Sequence, residues 1–298
     1  MLYLPQGLPA IDTLRQEGVD IATYNKEHIE KLPQETLRIL FLNLMPQKAV
    51  TELDIARAIQ NNSVSVALLP TKIAGQIYKT TPMSHMEAFY TDFDCFENAE
   101  NTRFDGLIVT GAPVEHLPFE EVRYWPQLCH IMDWAKSHVK SALYICWGAQ
   151  AGLYHLYNIP KYKLPAKKFG IFKQKKLDDN AVILKGLPNV FPMPNSRHTE
   201  VRRKDIEQKP LKIIAESNES GVGIVTAKDG ISEIFIVGHL EYEPETLHKE
   251  YMRDVSKGLT IAPPVHYYHD DLPENGIDFS WQKTARIFYQ NWIKNCCK

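Results

Sequence analysis

A cysteine lies where an apolar, strand-like segment gives way to a helical one. In YICWGAQAGLYHLY (144–157), the residues before Cys146 are β-prone and those after Gly148 follow a helical pattern. A sharp strand–turn–helix bend lifts a side chain out of its sheet, as a nucleophile elbow does, and the helix N-terminus would stabilise a thiolate. We therefore expect Cys146 to be a nucleophile, with the amide of Trp147 facing a developing oxyanion. The same residues also suit a buried cysteine that acts as a small hydrophobe.

A candidate base follows a second strand-like segment, IFIVGHLEY (234–242). Side chains at positions i and i+2 of an extended segment point the same way, so Glu241 could hold the imidazole of His239 in one tautomer. A thiol nucleophile needs an oriented base of this kind. Cys146, His239 and Glu241 together would form a Cys-His-Glu triad, whereas His239 and Glu241 alone also fit a polar pair at a strand end.

A glycine-containing turn ends a further apolar segment, in VTGAPVE (109–115). If this segment is the neighbour of the strand that carries Cys146, the backbone amides of Gly111 and Ala112 could complete an oxyanion hole. Glycine and proline are also usual in plain turns, so the turn alone does not establish that role.

Strand-like and helical patterns alternate through the first half of the chain. The strand-like segments are LRILFLNLM (37–45), SVSVALLP (63–70), FDGLIVTGAP (104–113) and SALYICWG (141–148). Thr51 is a candidate cap for the first intervening helix, and a helix rich in aromatic residues lies within 120–138. This β-α-β order predicts a mainly parallel sheet with helices on both faces. In such sheets the chemistry lies at the carboxyl ends of the strands.

The second half of the chain has a different pattern. Short strands are expected within 211–217, 221–230 and 231–242, with AKDG as a hairpin turn, followed by helices that end at Gly258 and begin near Ser280. The Lys- and Pro-rich stretch 158–194 suggests an irregular excursion over the active face. We expect one domain over 1–298, with a core of about 35–260 and terminal extensions packed on it.

Composition excludes several classes of protein. The 298 residues carry a net charge of −2. Because basic residues are not in excess, neither nucleic acid nor an anionic membrane is favoured as a partner. The first residues do not resemble a signal peptide, and no apolar run approaches the ~18 residues that cross a bilayer. Five cysteines without a CxxC pair favour a reducing cytoplasm over a disulfide framework or a zinc site. The run HYYHDD (266–271) matches no metal-ligand spacing, so no metal is expected.

Two resemblances connect these residues. CWGAQ and GHLE are similar to the CxGxQ elbow and HPE dyad of class I glutamine amidotransferases, although Leu240 replaces the proline and Tyr144 a frequent glycine. A closer resemblance spans nearly the whole chain and is to the homoserine O-acyltransferase family of methionine biosynthesis. The segments that carry it are ILFLNLMPQKAVTE, FDGLIVTGAPVE, VRYWPQL, YICWGAQAGL, YNIPK, NSRHTE and EYMRDV.

The second resemblance implies a fold and a mechanism. The fold would be the flavodoxin-like, three-layer α/β fold of the amidotransferases. Cys146 would take an acyl group from acyl-CoA, and His239, oriented by Glu241, would move the protons that allow homoserine to accept it. No cofactor is implied, since the acyl-CoA is a substrate, and a cytoplasmic homodimer is expected.

The same resemblance implies the binding residues. Lys167, or its neighbour Lys168, together with Ser196 and Arg253 would bind homoserine, and an arginine suits the substrate carboxylate. Lys48 is a candidate near the acyl-CoA. Without the resemblance, each of these residues would be interpreted as an ordinary surface or turn residue.

The family divides by acyl donor at the position of Glu115 in GAPVE. Glycine there goes with succinyl-CoA and glutamate with acetyl-CoA. A carboxylate in a confined site repels the succinyl carboxylate and fills the space that a longer acyl chain needs. We therefore expect a homoserine O-acetyltransferase. A homoserine O-succinyltransferase, a glutamine amidotransferase subunit and a non-catalytic relative remain as alternatives.

Overall fold

A single mixed sheet runs through the computed structural model, which describes residues 1–61, 63–98 and 103–296. Within those residues the sheet has twelve strands. They are β1 (Leu2–Pro5), β2 (Ile21–Tyr24), β3 (Leu37–Leu42), β4 (Val66–Lys72), β5 (Thr91–Asp92), β6 (Phe104–Val109), β7 (Val139–Ile145), β8 (Tyr162–Lys176), β9 (Val190–Glu200), β10 (Leu211–Ser217), β11 (Gly221–Ala227) and β12 (Glu233–Ile236).

The strand order divides the sheet into a parallel part and an antiparallel part. The order is β2-β1-β4-β3-β6-β7-β12-β11-β10-β8-β9, and β5 pairs with β4. Every pairing from β2 to β12 is parallel, as is that of β5 with β4, and the pairings from β12 to β9 are antiparallel. The predicted neighbours β6 and β7 are paired, and the predicted hairpin joins β11 and β12.

Helices cover both faces of the sheet. They are α1 (Ala10–Gln16), α2 (Lys48–Ile59), α3 (Met83–Phe89), α4 (Phe93–Glu97), α5 (Trp125–His138), α6 (Trp147–Tyr157), α7 (Arg203–Ile206), α8 (Thr246–Ser256) and α9 (Gln282–Cys296). Apolar side chains of α1, α2 and α9 pack on one face, and those of α5 and α6 pack on the other. The result is a three-layer α/β fold, as the alternating pattern predicts.

Strand β3 shows why the central strands are continuously apolar. Its side chains alternate between the two faces, so Ile39 and Phe41 join one apolar cluster while Leu40 and Leu42 join the other. All four side chains are buried because both faces carry helices. Packing against helices on both faces therefore fixes the position of the carboxyl end of β3.

Two sequence-based expectations about local structure were wrong. Helix α2 begins at Lys48, so Thr51 lies inside its first turns, and its hydroxyl donates back to the Gln47 carbonyl at 3.4 Å instead of capping. The stretch 158–194 is not irregular, since most of it forms β8 and the start of β9, which pair in a long antiparallel ladder. That pairing satisfies the backbone hydrogen-bonding groups of this lysine-rich stretch. Pro165, which has no amide proton to donate, lies where the register of the ladder shifts.

A third, smaller apolar cluster lies beside α8 and the chain that follows it. It buries Leu247, Tyr267 and Trp281 against Phe169 of β8. The C-terminal residues thereby brace the segment that carries part of the candidate site. No helix among the described residues is long and apolar enough to cross a membrane.

Candidate active site

Strands β7 and β12 bring the candidate nucleophile and base together. They are parallel neighbours, with Ile145 paired to Ile236 at their carboxyl ends. The Cys146 amide donates to the Ile236 carbonyl at 2.7 Å. Because Cys146 and His239 each follow one of these strands, both emerge at the same edge of the sheet, as the strand-end argument predicts.

Cys146 occupies a bend that few residues adopt. Its φ of 51° and ψ of −114° lie outside the usual regions for a residue with a side chain, and helix α6 begins at the next residue. Gly148 makes the bend possible, since a Cβ there would lie 2.6 Å from the Thr110 carbonyl oxygen. The backbone strain and the close approach are those of a nucleophile elbow.

His239 and Glu241 form a buried hydrogen-bonded pair. The Nδ1 of His239 lies 2.6 Å from Oε1 of Glu241, and both residues are less than a tenth exposed. Burial acts to lower the pKa of His239, but the negative charges of Cys146 and Glu241 outweigh it and hold the pKa well above its usual range. The arrangement therefore favours an imidazolium at His239 beside the Cys146 side chain.

An aromatic ring lies flat against the imidazole of His239. The ring of Tyr242 stacks on it with centroids 4.0 Å apart and planes at 15°. The indole N–H of Trp281 donates to the Tyr242 carbonyl at 2.8 Å, which fixes the backbone at this position. Tyr242 was not predicted from the sequence, although its place directly after Glu241 was a usable signal.

Further acidic groups lie behind Glu241. Burial raises the pKa of Asp54 to about 8, and the charges of Glu241 and Glu243 raise it as well. Asp54 is therefore mostly protonated at neutral pH. Arg57 lies 3.0 Å from Glu243 and 3.8 Å from Asp54, so a single guanidinium serves both carboxyl groups.

The predicted oxyanion turn lies against the elbow. A Cβ on Gly111 would be 3.3 Å from the Cβ of Cys146 and 3.7 Å from the Trp147 nitrogen. Gly111 and Ala112 are both buried next to the nucleophile. Their position is the one from which backbone amides can face an oxyanion formed at Cys146, and that role stays a prediction.

The candidate homoserine residues converge on a carboxylate that the sequence analysis did not single out. Oε1 of Glu250 accepts a hydrogen bond from Ser196 Oγ at 2.7 Å and lies 3.0 Å from Lys167 Nζ. Arg253 Nη2 lies 3.6 Å away on the same helix, α8. Of the two adjacent lysines, Lys167 makes this contact. The i,i+3 spacing of Glu250 and Arg253 was a usable signal, because such residues share a helix face.

Glu115 lies half-buried beside strand β9. Its Oε2 accepts hydrogen bonds from the His198 amide at 2.9 Å and from Thr199 Oγ1 at 3.2 Å. Lys161 Nζ donates to the Glu115 carbonyl at 2.7 Å, which fixes the backbone of the turn. The carboxylate is thus held by the strand that also carries Ser196.

Lys48 is buried near this edge of the sheet. Its ammonium donates to the carbonyls of Asn43 and Met45 at 2.6 and 2.8 Å. Burial lowers its pKa to about 8, against the attraction of Glu52. These contacts stabilise the chain before α2, so Lys48 has a structural role there. Its expected contact with acyl-CoA stays a prediction.

The assembled groups suit acyl transfer through a covalent intermediate. A buried cysteine side chain, an oriented imidazolium and nearby backbone amides are the parts that such a reaction requires. The described residues contain no group of three or more His, Cys, Asp or Glu side chains that could hold a metal ion.

Comparisons with known proteins identify the family of the chain. A family model described as homoserine O-succinyltransferase matches residues 1–298. A homoserine O-acetyltransferase of Bacteroides fragilis is 47% identical over 293 residues, which cover 98% of this chain and 94% of the relative. A second homoserine O-acetyltransferase, from Brevibacillus brevis, is 44% identical over 293 residues with the same coverage, 98% and 94%.

A solved structure identifies the fold. A glutamine amidotransferase from Thermotoga maritima superposes with a TM-score of 0.51 at 13% identity, over 88% of this chain and 98% of that one. At this identity the likeness establishes the fold alone. The predicted class I glutamine amidotransferase-like fold is confirmed.

Proposed function

The chain belongs to the homoserine O-succinyltransferase family, and we propose that it acts as a homoserine O-acetyltransferase. It would move the acetyl group of acetyl-CoA to the hydroxyl of L-homoserine and so supply methionine biosynthesis with O-acetyl-L-homoserine. The observation that carries this proposal is the buried Cys146 elbow beside the His239–Glu241 pair. The names of the full-length relatives support the acetyl donor.

The first half-reaction acylates the enzyme. The Cys146 thiolate attacks the thioester carbon of acetyl-CoA, and the resulting oxyanion is stabilised by the amides of Gly111, Ala112 and Trp147. Collapse of the tetrahedral species breaks the bond to the CoA sulfur, which takes the proton of the His239 imidazolium. The products are free CoA, an acetyl-thioester at Cys146 and a neutral imidazole.

The second half-reaction transfers the acetyl group. Neutral His239 accepts the proton of the homoserine hydroxyl as its oxygen attacks the thioester carbon. Collapse expels the Cys146 thiolate and leaves His239 as an imidazolium, so the starting charge state is restored. Glu241 holds one tautomer of the imidazole throughout, because its Oε1 is bonded to Nδ1.

Homoserine would bind where Lys167, Ser196, Glu250 and Arg253 converge. Arg253 can take the substrate carboxylate in a bidentate pair, since its side chain is about half exposed. Glu250 can take the substrate ammonium, because its carboxylate is oriented by Ser196 and Lys167. No cofactor is needed, as the acyl group arrives activated on CoA.

Donor choice would depend on Glu115. A succinyl-CoA would have to bring its terminal carboxylate against this carboxylate in a confined site, with a cost in repulsion and desolvation. An acetyl group carries no charge and needs less room. We further propose that the enzyme is a homodimer and works in the cytoplasm, as the family resemblance implies.

The first experiment is the release of free CoA with L-homoserine present, with acetyl-CoA and succinyl-CoA compared. We expect rapid release from acetyl-CoA and loss of it in Cys146→Ala. Faster release from succinyl-CoA would retain the acyl-transfer mechanism and overturn the role of Glu115. Release from neither donor, together with glutaminase activity, would favour the amidotransferase alternative.

A further inference from the structure

The carboxylate of Glu115 is held in place by one backbone group and one side chain. The backbone group is the His198 amide, at 2.9 Å from Oε2, and the side chain is Thr199, whose Oγ1 is 3.2 Å from the same oxygen. Glu115 can exclude a longer acyl donor only while its carboxylate stays in position. Whatever holds that carboxylate is therefore part of donor choice.

The Thr199 hydroxyl lies between two oxygen atoms and has one proton. Its Oγ1 is 2.8 Å from Gln150 Oε1 and 3.2 Å from Glu115 Oε2, so it cannot donate to both. The two ends of an amide have nearly the same shape. A half-turn of the Gln150 amide places an N–H on Thr199 Oγ1 and frees the hydroxyl proton for Glu115. That orientation satisfies all three groups while Glu115 is ionised.

Burial makes this hydrogen-bond chain obligatory. Thr199 is 5% exposed and Gln150 is 1% exposed, so water offers the hydroxyl little alternative and an unpaired group would be costly. Gln150 lies on α6, the helix that begins directly after Cys146. This series of hydrogen bonds therefore connects α6 through Thr199 to Glu115.

The backbones on both sides of this bond are anchored independently. Arg197, itself 1% exposed, donates from Nη1 to the Thr199 carbonyl at 2.6 Å. Lys161 donates to the carbonyls of Glu115 and Leu117 at 2.7 and 2.6 Å. Removing the Thr199 hydroxyl would therefore free the Glu115 side chain without moving the backbone that carries it.

We propose that Thr199 is a second determinant of acyl-donor choice, which acts by holding the Glu115 carboxylate in the acyl site through the Gln150–Thr199–Glu115 chain. This proposal rests on the proposed function, in which Glu115 disfavours succinyl-CoA. Thr199 is a positioning residue and does not touch the reacting atoms. Without its hydroxyl, Glu115 keeps only the His198 amide and can turn away, which opens the site to a longer, anionic acyl group.

The test compares Thr199→Val, which keeps the shape of the side chain, with Thr199→Ser, which keeps the hydroxyl. The quantity measured is kcat/KM for acetyl-CoA divided by kcat/KM for succinyl-CoA, with homoserine saturating. We expect Thr199→Val to lower this ratio by ~3- to 10-fold, which corresponds to the net contribution of one hydrogen bond. Thr199→Ser should stay within about twofold of the unmodified enzyme, for the same reason.

A Glu115→Gly background separates the possible outcomes. Thr199→Val should leave the donor ratio of Glu115→Gly unchanged, because no carboxylate remains to be held. Thr199→Ala serves as a second hydroxyl-free variant if the buried valine methyl disturbs folding.

One result would overturn the inference alone: an unchanged ratio in both hydroxyl-free variants while Glu115→Gly shifts it, whether kcat/KM stays constant or falls equally with both donors. If Glu115→Gly itself leaves the ratio unchanged, the proposed role of Glu115 is wrong and the inference falls with it.

Discussion

At the scale of single residues, the site depends on charges that are kept apart from water. The negative charges of Cys146 and Glu241 flank the buried imidazole of His239 and raise its pKa. The Tyr242 ring covers one face of that imidazole, and an aromatic face stabilises a cation placed against it. The proposed base His239 is therefore coupled to its neighbours, so a change at one of them should be seen in the titration of His239.

Replacing Tyr242 tests this coupling. Tyr242→Leu should lower kcat/KM by about tenfold, because loss of the aromatic face destabilises the imidazolium. The basic limb of the pH profile should move to lower pH, since the imidazolium then loses its proton more easily. Tyr242→Phe keeps the ring and serves as the control. An unchanged pH profile in the leucine variant would show that the ring only fills space.

Glu250 provides a second test at this scale. Glu250→Gln should raise KM for homoserine by ~10- to 100-fold, because the ammonium loses a charged partner. Acylation of Cys146 by acetyl-CoA, followed by mass spectrometry without homoserine, should not change. The control is Glu245→Gln, since Glu245 is exposed and its Oε2 lies 2.6 Å from Lys249 Nζ. Slower acylation in the Glu250 variant would contradict a role confined to the acceptor.

At the scale of elements, the site combines residues from strands on both halves of the sheet with residues from two helices. The parallel strands β7 and β12 deliver Cys146 and His239 to one edge. The antiparallel pair β8 and β9 carries Lys167 and Ser196, and α8 presents Glu250 and Arg253 to them. Helix α2 contributes Asp54 behind the triad. The proposed homoserine-binding residues therefore depend on the docking of α8 against β8 and β9.

Asp54 in α2 makes the unfolding free energy of the protein dependent on pH. Its pKa is about 8 in the folded chain, above that of an unfolded aspartate, so the folded state binds the extra proton between roughly pH 4 and pH 8. The unfolding free energy should then fall as pH rises through this window, by at most ~1.4 kcal/mol per pH unit from this group.

Asp54→Asn cannot ionise and should remove that part of the pH dependence. Urea unfolding between pH 5 and pH 8.5 measures it, and the variant should gain stability relative to the unmodified chain as pH increases. Parallel pH dependences for the two proteins would show that Asp54 is not protonated in the folded state.

At the scale of the whole molecule, the C-terminal residues close the fold. Helix α9 packs with α1 and α2 on one face of the sheet. Trp292 is fully buried there, and its indole N–H donates to Ser141 Oγ on β7 at 2.9 Å. Trp281 holds Tyr242 from the same part of the chain. The last residues of the described chain therefore support both the core and the active-site edge.

Trp292 tests the contribution of α9 to the core. Trp292→Ala should lower the unfolding free energy by ~3–5 kcal/mol, the usual cost of a large cavity in a core. Trp292→Phe, which keeps most of the apolar contact, should cost about 1 kcal/mol for the lost hydrogen bond. Urea denaturation measures both. Equal stability of the alanine variant and the unmodified chain would mean that α9 is dispensable for the core.

The sequence alone predicted the central parallel strands β3, β4, β6 and β7, and it indicated the proposed reacting groups, whereas β1, β2 and β5 were not predicted. The apolar runs of β3, β6 and β7 reflect burial on both faces, which is a local property of the residues. Cys146, His239 and Glu241 could be singled out because strand ends share an edge and because alternate residues point the same way. The position of Glu115 was likewise readable from its motif.

Only the tertiary structure decided which side chains support these groups. The contacts of Glu250 with Lys167 and Ser196, and of Thr199 with Glu115, join residues more than 50 positions apart. Local periodicity carries no information about such pairs, because it does not specify how α8 docks or how β9 lies beside the turn that carries Glu115. Only the stretch 158–194 of the antiparallel half was misjudged, for the same reason, since its lysine-rich strand β8 is stabilised by a partner distant in the chain.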